Sequence, residues 1–213
     1  GLGKLKPTDR FNVIRFDDTM DQLFPTAVPA DSLNINAARS FVSSLQANGG
    51  TEMIAPLKAS LVYDMVSSKT HLRQVIFITD GAIGNEQEMF ATLTSQRGRS
   101  RVFMVGIGSA PNSYLMSHAA ELGRGTFTFI GDATQVTSRM DELFNKLGNP
   151  VVTGLAANLS AGEAELTPSL LPDLYQGEPL VLMAEAKSLS GTLTVNGKIG
   201  DAPWTVTLPV AAA

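Results

Sequence analysis

The chain has 213 residues, 44% of them apolar and 17% charged, with a net charge of −4 and no cysteine. That is the composition of a globular chain long enough to bury a real core. It excludes a disulfide frame, a thiolate zinc site and a cysteine nucleophile, and the absence of any basic run argues against nucleic acid or an anionic membrane surface as partner.

No apolar stretch approaches the roughly 18 residues needed to span a bilayer. No signal-peptide pattern stands at the start. Cysteine-free composition fits bacterial export. Gly1 reads as a cloning remnant or a cut point, and Leu2 and Leu5 as the last turn of a helix ended by Pro7. The chain thus reads as beginning part-way through a longer sequence.

Phe11 to Phe16, FNVIRF, reads as the first strand, ended by Asp17, Asp18 and Thr19. A loop with Pro25 and Pro29 follows. Ile35, Ala38, Phe41, Val42 and Leu45 then fall on one helical face, stopped by Asn48-Gly49-Gly50. Ile54, Leu57, Leu61 and Met65 mark a second helix. Pro56 fits only near a first turn, so this helix should start within residues 52–55. That puts the Thr51 hydroxyl on a glycine-flanked loop near the positive end of a helix, either as a simple N-cap or as a ligand.

Gln74 to Gly81, QVIFITDG, is the most informative stretch. Its unbroken apolar run reads as a central parallel strand buried on both faces. Ligands of open α/β sheets bind beyond the carboxyl ends of such strands, where Asp80 and Gly81 stand. Asp-Gly is also ordinary turn chemistry. A helix over 87–97, an apolar strand over 102–108 (VFMVGIG), a helix over 114–122 with Gly123 as left-handed cap, and a strand over 126–130 follow. Val136, Met140, Leu143, Phe144 and Leu147 give the cleanest helical spacing in the chain, ended by Gly148 and Pro150.

Residues 1–149 therefore alternate strand and helix, the pattern of a doubly wound α/β domain with a mostly parallel sheet. After Pro150 the texture is β-rich: 151–159, 180–186, 192–195 and 204–208 alternate, and Asn196-Gly197 is a hairpin signal. Residues 150–213 read as a small β segment, part of a sandwich or packed on the first domain.

Gly49-Gly50-Thr51 before a helix, Ile78-Thr79-Asp80-Gly81 after a strand, and a strand ending Val-Gly-Ile-Gly stand together in that order. In this combination residues 1–149 resemble the von Willebrand factor type A domain. With the β segment behind it, the chain resembles bacterial relatives of the inter-alpha-trypsin inhibitor heavy chains, some of which are surface proteins handled by a sortase. The resemblance implies a metal-ion-dependent adhesion site whose motif carries over to Thr51 and Asp80. Its cofactor would be Mg²⁺ or Mn²⁺, and a partner's acidic side chain would complete the oxygen shell. Gly50 and Gly81 would shape the two loops.

The family's Asp-x-Ser-x-Ser run, on a strand in the middle of its sheet, occurs nowhere in these residues. Either that strand lies outside the chain, or another chain supplies it, or the sheet rearranges. A site of Thr51 and Asp80 alone would hold metal feebly or not at all. A strand-exchanged oligomer is one consequence.

Competing readings are weaker in their residues. Gly106-Ile107-Gly108-Ser109-Ala110 is similar to a dinucleotide loop but lacks the third glycine, and Pro111 interrupts the helix start. Asp80 as a phosphotransfer nucleophile lacks a second aspartate, Ala82 standing in its place. No Gly-x-Ser-x-Gly elbow occurs. His71 and His118 read as structural, Asp17 and Asp18 as a solvated turn or an accessory at the crevice rim, and Trp204 and Tyr175 as core of the β segment. The resemblance thus implies a non-enzymatic, cation-dependent adhesion module, extracellular, at the cell surface or periplasmic, binding a protein or matrix ligand. The alternative is a structural scaffold with no working metal site.

Overall fold

The computed structural model describes residues 1–46, 49–62, 71–80, 84–108, 112–149, 151–160, 164–168, 171–186 and 190–210. It divides into two compact units, Gly1–Phe144 and Asn145–Ala213. Among the described residues no helix is long and apolar enough to cross a membrane.

The first unit opens with a 3₁₀ turn, Leu2–Lys4, where the sequence led us to expect the end of an α-helix. Four short strands follow: β1 (Arg10–Phe11), β2 (Ile14–Phe16), β3 (Met20–Gln22) and β4 (Val28–Pro29). FNVIRF is therefore not one strand. The Asn12 side chain breaks it: Oδ1 accepts from the amides of Val13 and Phe24, and Nδ2 donates to the Phe24 carbonyl. These bonds replace the ladder locally. β1 pairs with β4 and β2 with β3, both antiparallel.

α1 (Ser32–Ser43) is capped by Asp31, whose carboxylate accepts from the Asn34 amide at 2.8 Å. It ends before the glycines, and Leu45 is exposed. Phe11, Ala30 and Ala38 form a small core with Leu5, Phe24 and Ile35 packed around it. α2 (Ile54–Leu61) starts inside the expected window, with Pro56 in its first turn. Met65 lies outside the described residues.

The alternating region builds β5 (Gln74–Thr79), α3 (Glu86–Gln96), β6 (Arg101–Ile107), α4 (Ser113–Leu122), β7 (Arg124–Ile130), a 3₁₀ turn (Ala133–Gln135) and α5 (Val136–Leu147). The three strands form a parallel sheet in the order β5-β6-β7. Met53, Leu57 and Leu61, Met89 and Leu93, and Leu115 and Met116 bring α2, α3 and α4 into one core with Phe77, Val102 and Met104 of the sheet. This is the α/β layering expected. The central position, however, belongs to β6. Among the described residues β5 pairs on one edge only, so its residues are half-covered and Ile78 is 43% exposed.

Gly123 is not a left-handed cap, since its φ is −72°. The positive φ falls on Arg124, at 55°. Gly123 is needed for close approach instead: a Cβ there would stand 2.7 Å from the Val102 Cβ, and one on Gly125 would stand 2.2 Å from the Val102 carbonyl oxygen. The β6–β7 register shifts at this contact.

The second unit is β-rich, as its alternation indicated. β8 (Val152–Leu159), β11 (Gly191–Ile199) and β12 (Ala202–Val210) form an antiparallel sheet in the order β12-β11-β8. β9 (Ala164–Thr167) pairs with β10 (Met183–Ala186). Val152, Leu155, Leu171 and Val195 are the core, with Trp204 packed against it and Tyr175 buried. Asn196-Gly197 is not the hairpin turn. It lies inside β11 opposite an irregularity in β8, and the chain reverses at Gly200-Asp201, with φ +60° at Gly200. Gly197 is packed against Val152, whose Cγ1 a Cβ would meet at 2.6 Å. Close approach, again, explains the glycine better than a turn.

Candidate metal centre and recognition crevice

Thr51 stands on the loop that enters α2, between Gly50 and Glu52. It is not the N-cap of that helix. Met53 occupies the cap and makes no side-chain capping bond. The Thr51 hydroxyl is thus not consumed by capping, and among the described residues it makes no hydrogen bond. Asp80 follows Thr79 directly at the carboxyl end of β5 and is exposed. Its carboxylate likewise has no hydrogen-bond or ion-pair partner among the described residues.

A crevice of about 270 Å³ opens beside Thr51, lined by Thr51, Glu52, Met53, Ile54, Gly84 and Asn85. Asp80 is not part of this lining. The structure therefore places Thr51 in the crevice wall and Asp80 at the carboxyl end of β5, outside the crevice lining, and does not bring the two together in one lining. Gly81 lies outside the described residues.

Met53 and Asn85 are the N-cap residues of α2 and α3, so two helix N-termini meet at the crevice, neither capped by a side chain. Their unpaired amides and dipole ends favour negative charge. Glu86 and Glu88 in the first turn of α3 offset part of that field, although Glu88 is itself paired with Lys58 at 2.8 Å.

The β2–β3 turn forms the other side of the Thr51 loop. The Asp18 carboxylate accepts from the Gly50 amide at 2.8 Å, and the Asp17 carbonyl accepts from the Glu52 amide at 2.8 Å. The Asp17 carboxylate folds back on its own turn, accepting from the Thr19 amide at 2.8 Å and the Thr19 hydroxyl at 2.9 Å. Those bonds, with Arg15 beside it at 2.6 Å, hold the Asp17 carboxyl below the usual aspartate range. The role of Asp18 had a weak signal in the sequence. An Asp-Asp pair ending a strand reads as a solvated turn, and nothing in it announces a partner 32 residues away.

Thr51 and Asp80 offer hydroxyl and carboxylate oxygens, the donor types a hard divalent cation takes. Among the described residues no group of three or more His, Cys, Asp or Glu stands together to hold an ion. The two residues fit Mg²⁺ or Mn²⁺ in donor type. The two histidines make local contacts away from the crevice lining. The His71 ring contacts the Thr8 carbonyl at 3.2 Å, and His118 packs edge-on against Phe90 at 4.6 Å. Gly108 of the glycine loop has φ +114°, and Ser109 to Pro111 lie outside the described residues.

The parallel β5-β6-β7 sheet with its helices defines a layered α/β architecture. Residues 1–129 match the family model of the von Willebrand factor type A domain, so the chain belongs to that family. Over 213 aligned residues it is 23% identical to a von Willebrand factor A domain-containing protein of Dictyostelium discoideum, covering 94% of this chain and 22% of that protein. It is 26% identical over 213 residues to inter-alpha-trypsin inhibitor heavy chain H4 of Homo sapiens, covering 93% of this chain and 23% of that protein. The chain thus spans less than a quarter of the length of these curated relatives. Among solved structures, a von Willebrand factor type A protein from Catenulispora acidiphila superposes with a TM-score of 0.66 at 18% identity, covering 98% of this chain and 58% of the other. The ArnB paralog VWA2 from Sulfolobus acidocaldarius gives 0.53 at 16% identity, covering 93% and 54%. These two share the fold. Domains of this family are typically protein-interaction modules.

Proposed function

We propose that the chain is a non-enzymatic, divalent-cation-dependent adhesion module of an exported or surface protein, extracellular or periplasmic and bacterial. One observation carries the reading. The Thr51 hydroxyl and the Asp80 carboxylate have no protein partner among the described residues. Thr51 and Asp80 would hold Mg²⁺ or Mn²⁺ as part of its shell, and the cation would anchor a carboxylate of a protein or matrix ligand. The two helix N-termini at the crevice support an acidic ligand on independent electrostatic grounds.

Calorimetric titration with Mg²⁺ and with Mn²⁺ tests it. Micromolar binding that disappears in Asp80→Ala and weakens in Thr51→Ala is expected. No heat at millimolar metal would leave the second reading, a structural scaffold without a working metal site. That second reading draws on the absence, among the described residues, of any group of three or more His, Cys, Asp or Glu side chains. Strand exchange belongs to the same proposal: the outer edge of β5 has no partner strand among the described residues, and a second copy would supply one. Light scattering on the titrated sample checks this, and a monomer at every concentration ends that part.

A further inference from the structure

We propose that Asp18 is the positioning residue of the Thr51 loop: its carboxylate fixes Gly49-Gly50 so that Thr51 holds its hydroxyl towards the crevice. The inference rests on the reading of Thr51 as a ligand, and it adds a residue outside the motif that suggested that reading.

Three observations converge on one side chain. Asp18 Oδ1 accepts from the Gly50 amide at 2.8 Å, across 32 residues of sequence. A Cβ built on Gly49 would stand 2.5 Å from Asp18 Oδ2, and a Cβ built on Gly50 would stand 2.5 Å from Asp18 Oδ1. Each oxygen of the carboxylate therefore sits where a side chain on one of these two glycines would have to go. Gly49 also has φ +77°, a conformation that side-chain-bearing residues adopt at a cost. Gly50 has no such requirement, so close contact with Asp18 is the reason for glycine at that position.

The clamp is two-sided. The Glu52 amide donates to the Asp17 carbonyl at 2.8 Å, so the residues on either side of Thr51 are both tied to the same turn. That turn is itself braced by Asp17, which binds the Thr19 amide and hydroxyl, and by Arg15, which bridges Asp17 and Asp21. A ligand hydroxyl held by a flexible glycine pair would sample many positions. Tying the amide before it and the amide after it removes that freedom before any ion arrives, which is how preorganised sites gain affinity.

Asp18 acts through hydrogen-bond acceptance, not through its charge. Asparagine keeps an acceptor oxygen at the same place, and alanine does not. In the apo protein, the Gly50 amide should exchange about tenfold faster in Asp18→Ala and be close to wild type in Asp18→Asn. Gly50→Ala should disturb the loop resonances of the wild-type chain by forcing the carboxylate away. In the Asp18→Ala background the same Gly50→Ala change should be tolerated, because the obstructing oxygens are gone. With Mn²⁺ as probe, Asp18→Ala should weaken binding about tenfold and Asp18→Asn should retain it.

The outcomes separate cleanly. Equal exchange of the Gly50 amide in wild type and Asp18→Ala would overturn the clamp. So would a Gly50→Ala penalty that is the same in both backgrounds. Loss of Mn²⁺ binding in Asp18→Asn as complete as in Asp18→Ala, with the Gly50 amide still protected, would make Asp18 a ligand and overturn the positioning role. A wild-type chain that binds no Mn²⁺ yet shows the amide and double-variant behaviour would refute the metal reading while upholding the clamp.

Discussion

β5 and β6 are neighbouring parallel strands of similar composition, QVIFIT and RVFMVGI, and they end in different environments. β6 is buried at every position from Arg101 to Gly106, with ladders on both edges. β5 has one ladder. Its Phe77 is 4% exposed on the face that meets the helical core, yet Ile78, one residue on and facing the other way, is 43% exposed. Apolar content made both strands. What separates them is position in the sheet: burial of a strand comes from its neighbours and its cover, and an apolar run only permits it.

The sharpest way to test that comparison is truncation on each strand. Phe103→Ala removes a fully buried ring from β6 and should cost about 3–5 kcal/mol. Ile78→Ala removes a larger fraction of its own side chain than a conservative change would, but from a half-solvated site, and should cost less than about 1 kcal/mol. Urea midpoints at constant m-value measure both. Equal losses would mean that Ile78 is covered in solution, and that β5 has a partner on its open side.

That open side also marks where the sequence could and could not be read. The alternation of strand and helix from β5 to α5 was legible because each element carries its own period, and the helical faces of Met89 and Leu93 or Leu115 and Met116 need no knowledge of the rest. Strand order was not legible. QVIFIT reads as central because its residues are apolar on both faces, and no local feature reports how many neighbours it has. The glycines mislead for a related reason. Gly123 and Gly197 have the sequence context of a cap and a turn, but their true constraint is a side chain or carbonyl from a distant strand, Val102 for one and Val152 for the other. The candidate site divides in the same way. Thr51 and Asp80 are visible as a motif. Asp18, which binds the Gly50 amide and stands against both loop glycines, shows only when the β2–β3 turn is seen against the loop.

The smallest expected effect comes from the polar turns, and it works in the opposite medium from the core. Asp17, Asp132 and Asp141 are all held below the ordinary aspartate value. The main causes are the Thr19 amide for Asp17, the Thr134 amide for Asp132 and the Lys4 ammonium for Asp141. In each case the folded carboxyl binds its proton more weakly than the unfolded one. The unfolded chain therefore takes up more protons as pH falls below about 3.9, the ordinary aspartate value, and stability falls with it. Above that value both states are ionised and the contribution is constant. All three groups are solvated, so the loss should be modest and should track the turns and not β6. Urea midpoints should be flat between about pH 5 and 7 and decline towards pH 3, with a shallower decline in Asp17→Asn. Amide exchange should report the first loosening in the β2–β3 turn, beside the loop that carries Thr51, while the β6 amides stay protected. A midpoint that rises on acidification would mean these carboxylates repel one another more than their donors hold them, and the bracing of the Thr51 loop would have to come from elsewhere.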